Sequence, residues 1–299
     1  MITAHPGLPE FDYIRPDSLK QASQFLADHP GEALPFMGGT DTFVRMRDGV
    51  WRGKYLVDVK GLDGTNEMHF DPAEGLTLGA AVNMNRVIQC PEVREHYPLL
   101  VEAAQKVASY QLRTRATIVG NLCNASPAGD TTGACIVLGG FLSIHGVNGM
   151  RQEPLETFFL GPGKTTLRAG DIVTAIRFPT PPPHCAGHYL KLGRNTQGDL
   201  AIVGVTVLGY PDRAAPSGYR FRIALASVAP VPLVPVEAEK ILAEKPVSEE
   251  SIGEAARIAM QSCKPIDDVR GSARYRKLMV KNLTQKSLNE VWEKIRQVT

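Results

Sequence analysis

The stretch that most constrains this chain runs Ala-Thr-Ile-Val-Gly-Asn-Leu-Cys-Asn-Ala-Ser-Pro-Ala-Gly-Asp-Thr-Thr, from Ala116 to Thr132. A β-branched step, Thr117-Ile118-Val119, meets a glycine, two asparagines, a Ser-Pro and an Asp-Thr-Thr. This reads as a strand end opening into a polar, tightly turned loop. Turn chemistry alone selects Gly, Asn, Ser and Asp, so one isolated motif of this kind is a capped turn. Upstream, however, Pro35-Phe36-Met37-Gly38-Gly39-Thr40-Asp41-Thr42-Phe43-Val44 is again a short apolar run broken by glycines and followed by Thr and Asp. Glycine lets the main chain approach a guest closely, and clustered amides form a concavity that holds phosphate without a lysine. Two such loops can face one diphosphate from two sides.

The surrounding pattern predicts what carries the loops. Pro16-Asp17-Ser18 caps an amphipathic helix bearing Leu19, Ala22, Phe25 and Leu26. Residues 33–37 form a buried strand that delivers the first glycine pair to its carboxyl end, and 42–47 a helical turn. Arg45, Arg47 and Arg52 are solvated or pair with Asp48 and Asp58, as exposed arginines do. Strands are expected over 55–59 and 76–82, with a turn-rich bridge at 61–67 between them. Helices follow over 83–89, capped by Asn83, and over 98–108. Residues 134–144 read as a buried strand, 155–160 as a turn or short helix, and 171–178 as a strand. Thr180-Pro181-Pro182-Pro183 is a stiff linker, which puts a domain boundary near residue 180. Beyond it come three strands, over 187–192, 200–208 and 219–228, then helices over 234–243, 248–262 and 272–295. Leu288, Val291, Trp292 and Ile295 make a core stripe on the last helix. Strands followed by helices imply an antiparallel α+β layer.

Several chemistries are excluded. At 299 residues the chain has room for two domains, or one large one, and a substantial core. Its net charge is only +2 with scattered Lys and Arg, so nucleic acid is not an expected partner. The five cysteines are widely spaced without a C-x-x-C, which argues against a disulfide framework, zinc or an iron–sulfur cluster within this chain. Of the seven histidines only His184 and His188 share an H-x-x-x-H spacing, in a Pro- and Gly-flanked stretch rather than a helix; no H-E-x-x-H occurs and the rest are dispersed, so no metal site and no catalytic triad is expected. Gly163-Lys164-Thr165 has Phe158 where a P-loop needs glycine, and is rejected. Residues 1–16 lack a basic stretch followed by an apolar one, and the longest apolar run, 134–144, is too short to span a bilayer. Reduced thiols and a cytoplasmic, membrane-free location are expected.

Taken together, the G-G-T-D loop and the T-I-V-G-N…S-P-x-x-D loop resemble the FAD-binding (medium) subunit of the molybdenum hydroxylase family, the group of xanthine dehydrogenase and the carbon monoxide dehydrogenase medium chain. The resemblance runs from Tyr13 to the last helix. It implies an α+β chain with α/β content. Residues 1–179 would be an FAD-binding domain of two α/β subdomains, of the vanillyl-alcohol-oxidase type, with a seam near 60. Residues 184–299 would be a C-terminal antiparallel sheet with helices. Carried over to matching positions, Met37, Gly38, Gly39, Thr40, Asp41 and Thr42 form the first FAD loop. Thr117, Ile118, Val119, Gly120 and Asn121 form the second, with Asp130 its acidic residue. Val107 and Val173 are apolar contacts, and Lys191 is a basic residue near the flavin ring. Strand alternation puts Tyr189, Lys191 and Gly193 on one face. A lysine snorkelling from an edge strand is the alternative for Lys191.

One departure matters: Val119 stands where relatives have glycine. A β-branched residue is costly at positive φ, so the expectation is extended backbone at Val119, with close approach left to Gly120. Gly39 and Gly120 are expected against the diphosphate. Asp41 and Asp130 are expected to accept hydrogen bonds from loop amides or FAD hydroxyls rather than to face phosphate. The family implies FAD on this chain. It implies 2Fe–2S clusters on a small partner subunit and a molybdopterin cofactor on a large one, as a dimer of heterotrimers, with electrons leaving to an external acceptor. Two other readings stay open: a self-contained flavin oxidase, and an assembly subunit whose nucleotide site is vestigial.

Overall fold

The computed structural model describes residues 7–196 and 198–298. The chain opens with β1 (Asp12–Ile14) and α1 (Leu19–Asp28), whose N-cap Ser18 accepts from the Gln21 amide while Ala22, Ser23 and Leu26 turn inward. β2 (Ala33–Phe36), α2 (Thr42–Arg47) and β3 (Tyr55–Asp58) follow. The three strands make a parallel sheet in the order β1-β3-β2, so β2 is an edge that ends at the first glycine loop.

Next come β4 (Met68–Asp71) and β5 (Gly75–Gly79), then six short helices: α3 (Met84–Gln89), α4 (Pro91–His96), α5 (Pro98–Gln105), α6 (Tyr110–Arg113), α7 (Ile118–Asn124) and α8 (Thr132–Val137). β6 (Phe141–Gly146) and β7 (Gly149–Pro154) form a hairpin, and a 3-10 turn at Leu155–Thr157 leads to the small ribbon β8 (Phe159–Gly161) and β9 (Lys164–Thr165). β10 (Ile172–Phe178) then completes an antiparallel sheet in the order β4-β5-β10-β6-β7. The helices pack on this sheet in the largest core, where Leu76, Leu100, Ile118, Leu122, Leu142 and Ile176 are all but inaccessible. Each such side chain contributes about 1.5–3 kcal/mol on full burial.

Two expectations are corrected here. Residues 117–119 are not a strand end. Thr117 is the extended N-cap of α7, its hydroxyl accepting from the Gly120 amide, and Val119 lies inside the helix rather than in extended backbone. Likewise 134–144 is not one strand: it is the last four residues of α8 and the first four of β6, separated at Gly139, whose φ of +70° no β-strand adopts.

The C-terminal part has β11 (Ala186–Leu192), β12 (Val203–Pro211) and β13 (Tyr219–Ala226) in an antiparallel sheet, followed by α9 (Val236–Glu244), α10 (Glu249–Ser262) and α11 (Ala273–Val298). One face, carrying Val203, Val205 and Val207, packs with Ile252, Ala259, Leu288, Val291 and Ile295 from the helices. The other face sends Tyr189, Leu208 and Ala224 into the large N-terminal core. With both faces covered, β12 reads as a nearly continuous apolar run. The fold is thus α+β, with an antiparallel sheet-and-helix layer closing against the N-terminal part. Among the described residues no helix is long and apolar enough to cross a membrane.

Candidate cofactor site

β2 and the α6–α7 connection bring the two glycine loops to one cleft, lined by Met37, Gly38, Lys60, Ala81, Asn83, Thr114, Arg115 and Thr117. The loops touch: a Cβ on Gly38 would overlap the Arg115 carbonyl oxygen. Gly39 turns the chain at a φ of +76°, with the Phe36 ring where a side chain would go. Arg45, on α2, donates to the Asn124 carbonyl of α7 at 3.4 Å. Asp58, one of the two acids offered as partners for Arg45, Arg47 and Arg52, is held by Lys60 at 2.6 Å and by the Tyr13 hydroxyl at 2.7 Å. The backbone amides of Gly39, Thr40 and Asp41 have no acceptor among the described residues, and neither do those of Ile118 and Val119. Unpaired donors on half-buried Gly39 and Thr40 and on buried Ile118 and Val119, with that of exposed Asp41 beside them, suit a hydrogen-bonding guest. A Cβ on Gly120 would meet only the Thr117 hydroxyl, and space beyond it is open. A diphosphate fits this donor set.

A second cluster lies where β11 meets the N-terminal part. Asp130 is buried, and its Oδ1 accepts from the Tyr189 hydroxyl at 2.6 Å while its Oδ2 takes the Lys191 ammonium at 2.7 Å. Lys191 also donates to the Lys106 carbonyl at 3.1 Å. Burial pushes the Asp130 carboxyl up from its ordinary value, with Lys191 and Tyr189 pulling the other way. Burial, then the Asp130 charge, holds the Tyr189 phenol well above its usual range. Glu102 of α5 accepts from the Tyr189 amide at 3.1 Å and lies 2.9 Å from His188, which also stands 2.7 Å from Glu290 of α11. Neither Asp41 nor Asp130 accepts from a loop amide, the first of the two kinds of donor expected for them. Asp41 is an exposed N-cap without a side-chain bond, and Asp130 spends both oxygens on side chains of β11.

Of the candidate residues, Met37, Gly38 and Thr117 line the cleft, and Gly39, Thr40, Asp41 and Thr42 continue the first loop around it. Gly120 and Asn121 continue the second. The Asn121 side chain is fixed through its Oδ1, which accepts from the Thr131 hydroxyl at 2.8 Å. The side chains of Ile118, Val119 and Val173 turn into the core, so these residues offer only backbone to a ligand. Val107 packs on that core and its carbonyl anchors Arg113 at 2.7 Å. Asp130 and Lys191 meet each other. Sequence reasoning missed Lys60, Asn83, Thr114 and Arg115 in the cleft and Glu102 behind Tyr189. Only Arg115, one residue ahead of the second loop, had a nearby signal.

The chain matches the family described as FAD binding domain in molybdopterin dehydrogenase over residues 9–181, and the CO dehydrogenase flavoprotein C-terminal domain over 188–291. It is 31% identical to the carbon monoxide dehydrogenase medium chain of Hydrogenophaga pseudoflava over 286 residues, covering 95% of this chain and 98% of that one. Identity to the xanthine dehydrogenase FAD-binding subunit of Escherichia coli O157:H7 is 27%, over 93% of this chain and 94% of the relative. A solved structure of the Hydrogenophaga pseudoflava carbon monoxide dehydrogenase superposes with a TM-score of 0.90 at 30% identity, covering 96% of this chain and 98% of that one. Quinoline 2-oxidoreductase from Pseudomonas putida 86 superposes at 0.87 and 25% identity, over 96% and 98%. With both family descriptions matched in order and a relative 31% identical over 95% of the chain, this chain belongs to the FAD-binding subunits of the molybdenum hydroxylase family of oxidoreductases.

Proposed function

We propose that the chain holds FAD between its two glycine loops and passes electrons from iron–sulfur clusters of a partner subunit to an external acceptor. The single observation that carries this reading is the set of unpaired amides, from Gly39 to Asp41 and at Ile118 and Val119, on the two loops whose neighbouring residues Gly38 and Thr117 line one cleft. FAD supplies chemistry that no side chain has, taking electrons singly or in pairs. The protein's part is to hold and orient it. Met37, Gly38, Gly39, Thr40, Asp41 and Thr42 wrap the diphosphate from one side, and Thr117, Ile118, Val119, Gly120 and Asn121 from the other. Val107 and Val173 support the site from the core. Lys191 stands beside the flavin ring, where a cation stabilises added negative charge. Its pairing with Asp130 and its near-complete burial favour this over a lysine snorkelling into solvent.

The partners in this reading are a small subunit with 2Fe–2S clusters and a large one with the molybdopterin cofactor, in a dimer of heterotrimers. Relatives described as medium chains of carbon monoxide and glyceraldehyde dehydrogenases support it. The FAD-binding domain spans residues 1–179 and the C-terminal domain 184–299, with the proline-rich segment between them. The test is the visible spectrum and flavin content of the purified chain after loading with FAD. One flavin per chain is expected, and a colourless protein that takes up none would overturn the reading.

A further inference from the structure

Asp130 divides its two carboxylate oxygens between two donors from one strand: Oδ1 accepts from Tyr189 at 2.6 Å and Oδ2 from Lys191 at 2.7 Å. Tyr189 is 1% exposed, and the Asp130 and Lys191 side chains are 9% and 8% exposed, so no bulk water substitutes for a missing partner. Two of the three Lys191 N–H bonds are committed, to Asp130 and to the Lys106 carbonyl. We propose that Tyr189 is a positioning residue that keeps Asp130 ionised and aimed at Lys191, and so sets the net charge the lysine presents to the flavin. This rests on Lys191 standing beside the ring, as proposed above.

Without the phenol, Oδ1 has no donor, and a desolvated carboxylate lacking one of its hydrogen bonds takes up a proton more readily. The other groups around the pair do not replace it. Glu102 of α5 is an acceptor already engaged by the Tyr189 amide, and His188, on β11, lies between Glu102 and Glu290 of α11. Protonated Asp130 no longer offsets Lys191. Two-electron reduction of the flavin with uptake of one proton adds one negative charge. An unopposed ammonium favours that state, and low local dielectric magnifies the effect.

The experiment is an equilibrium reduction titration of the FAD-loaded full-length chain against a dye of known potential, across the neutral pH range. Tyr189→Phe is expected to keep its flavin and to shift the reduction equilibrium toward reduced flavin by at least tenfold, about 30 mV for a two-electron couple. The gap from the parent widens as pH falls and closes as pH rises. Lys191→Met is expected to shift it the opposite way. A parent-like or lowered potential in Tyr189→Phe, or loss of its flavin, overturns the positioning role. If Lys191→Met also stays at the parent potential, the placement of Lys191 beside the ring fails as well. If Lys191→Met shifts while Tyr189→Phe is silent, only the role of Tyr189 falls. In an Asp130→Asn background, Tyr189→Phe should add nothing, and an undiminished shift there also overturns the proposal.

Discussion

Gly38 and Gly120 separate what the cleft needs for itself from what it needs for a guest. At Gly38 a methyl group would push into the Arg115 carbonyl, between two backbones that cannot give way. Gly38→Ala is therefore expected to destabilise the protein by about 1–3 kcal/mol and to abolish FAD retention together. Denaturant unfolding and flavin content check this, and an unchanged midpoint would contradict it. Gly120 is helical, and a methyl there meets only the Thr117 cap hydroxyl. The gain in helix propensity and the disturbed cap nearly cancel, so stability of the apo Gly120→Ala protein should stay within about 1 kcal/mol of the parent. FAD binding, followed by flavin fluorescence, should nonetheless weaken at least tenfold, about 1.4 kcal/mol. Undiminished affinity would place the ligand elsewhere. The two loops were legible in the sequence because glycine turn chemistry is local. Lys60, Asn83 and Arg115 were not, because only the tertiary approach of β3, α3 and the α6–α7 connection brings them to the same cleft. Asp130 was legible as a site residue, but not its partners: their bond joins positions far apart in sequence.

The segment ahead of α11 shows what an element can depend on. Arg276, in the first turn of α11, is fully buried and donates to the Ile202 and Ser227 carbonyls at 2.9 Å each and to Asp268 at 2.6 Å. The Ser227 amide in turn donates at 2.7 Å to the Pro127 carbonyl, in the loop that leads to Asp130. Hydrogen bonds from Arg270, then Arg276, hold the Asp268 carboxyl well below the usual carboxylate range. A pKa lower in the folded state gives stability that is present above the unfolded value and is lost as pH falls toward the folded one. Asp268→Asn should therefore cost about 3 kcal/mol at neutral pH, as removal of a buried arginine's counter-charge does. The difference from the parent should shrink in acid. Denaturant midpoints at both pH values decide it, and a pH-independent difference would contradict the linkage. Helices with polar caps were the most legible elements: Ser18 and Asn83 each cap where the pattern put them. Continuous apolar runs were the least, because a buried helix and a buried strand look alike. Hence α8 and β6 were read as one strand, and the Thr-Ile-Val opening of α7 as another. Polar edge strands such as β7 carried no signal at all.

At the scale of the whole molecule, β11 joins the two parts: Tyr189 and Lys191 reach Asp130, while His188 lies between Glu102 of α5 and Glu290 of α11. The N-terminal part supplies the cleft where the two glycine loops meet, and the C-terminal sheet supplies Lys191. The account assigns this assembly to holding a flavin and assigns substrate chemistry to other subunits. The isolated FAD-loaded chain should then be bleached by a chemical reductant and reoxidised by an acceptor. The measurement that tests this most directly is stopped-flow mixing of the lone chain, and of the whole complex, with substrates that the complex oxidises, reading the flavin's visible absorption. The account predicts bleaching only when the iron–sulfur and molybdenum subunits are present. Rapid substrate-dependent bleaching of the lone chain would contradict it and identify a self-contained flavin oxidase instead.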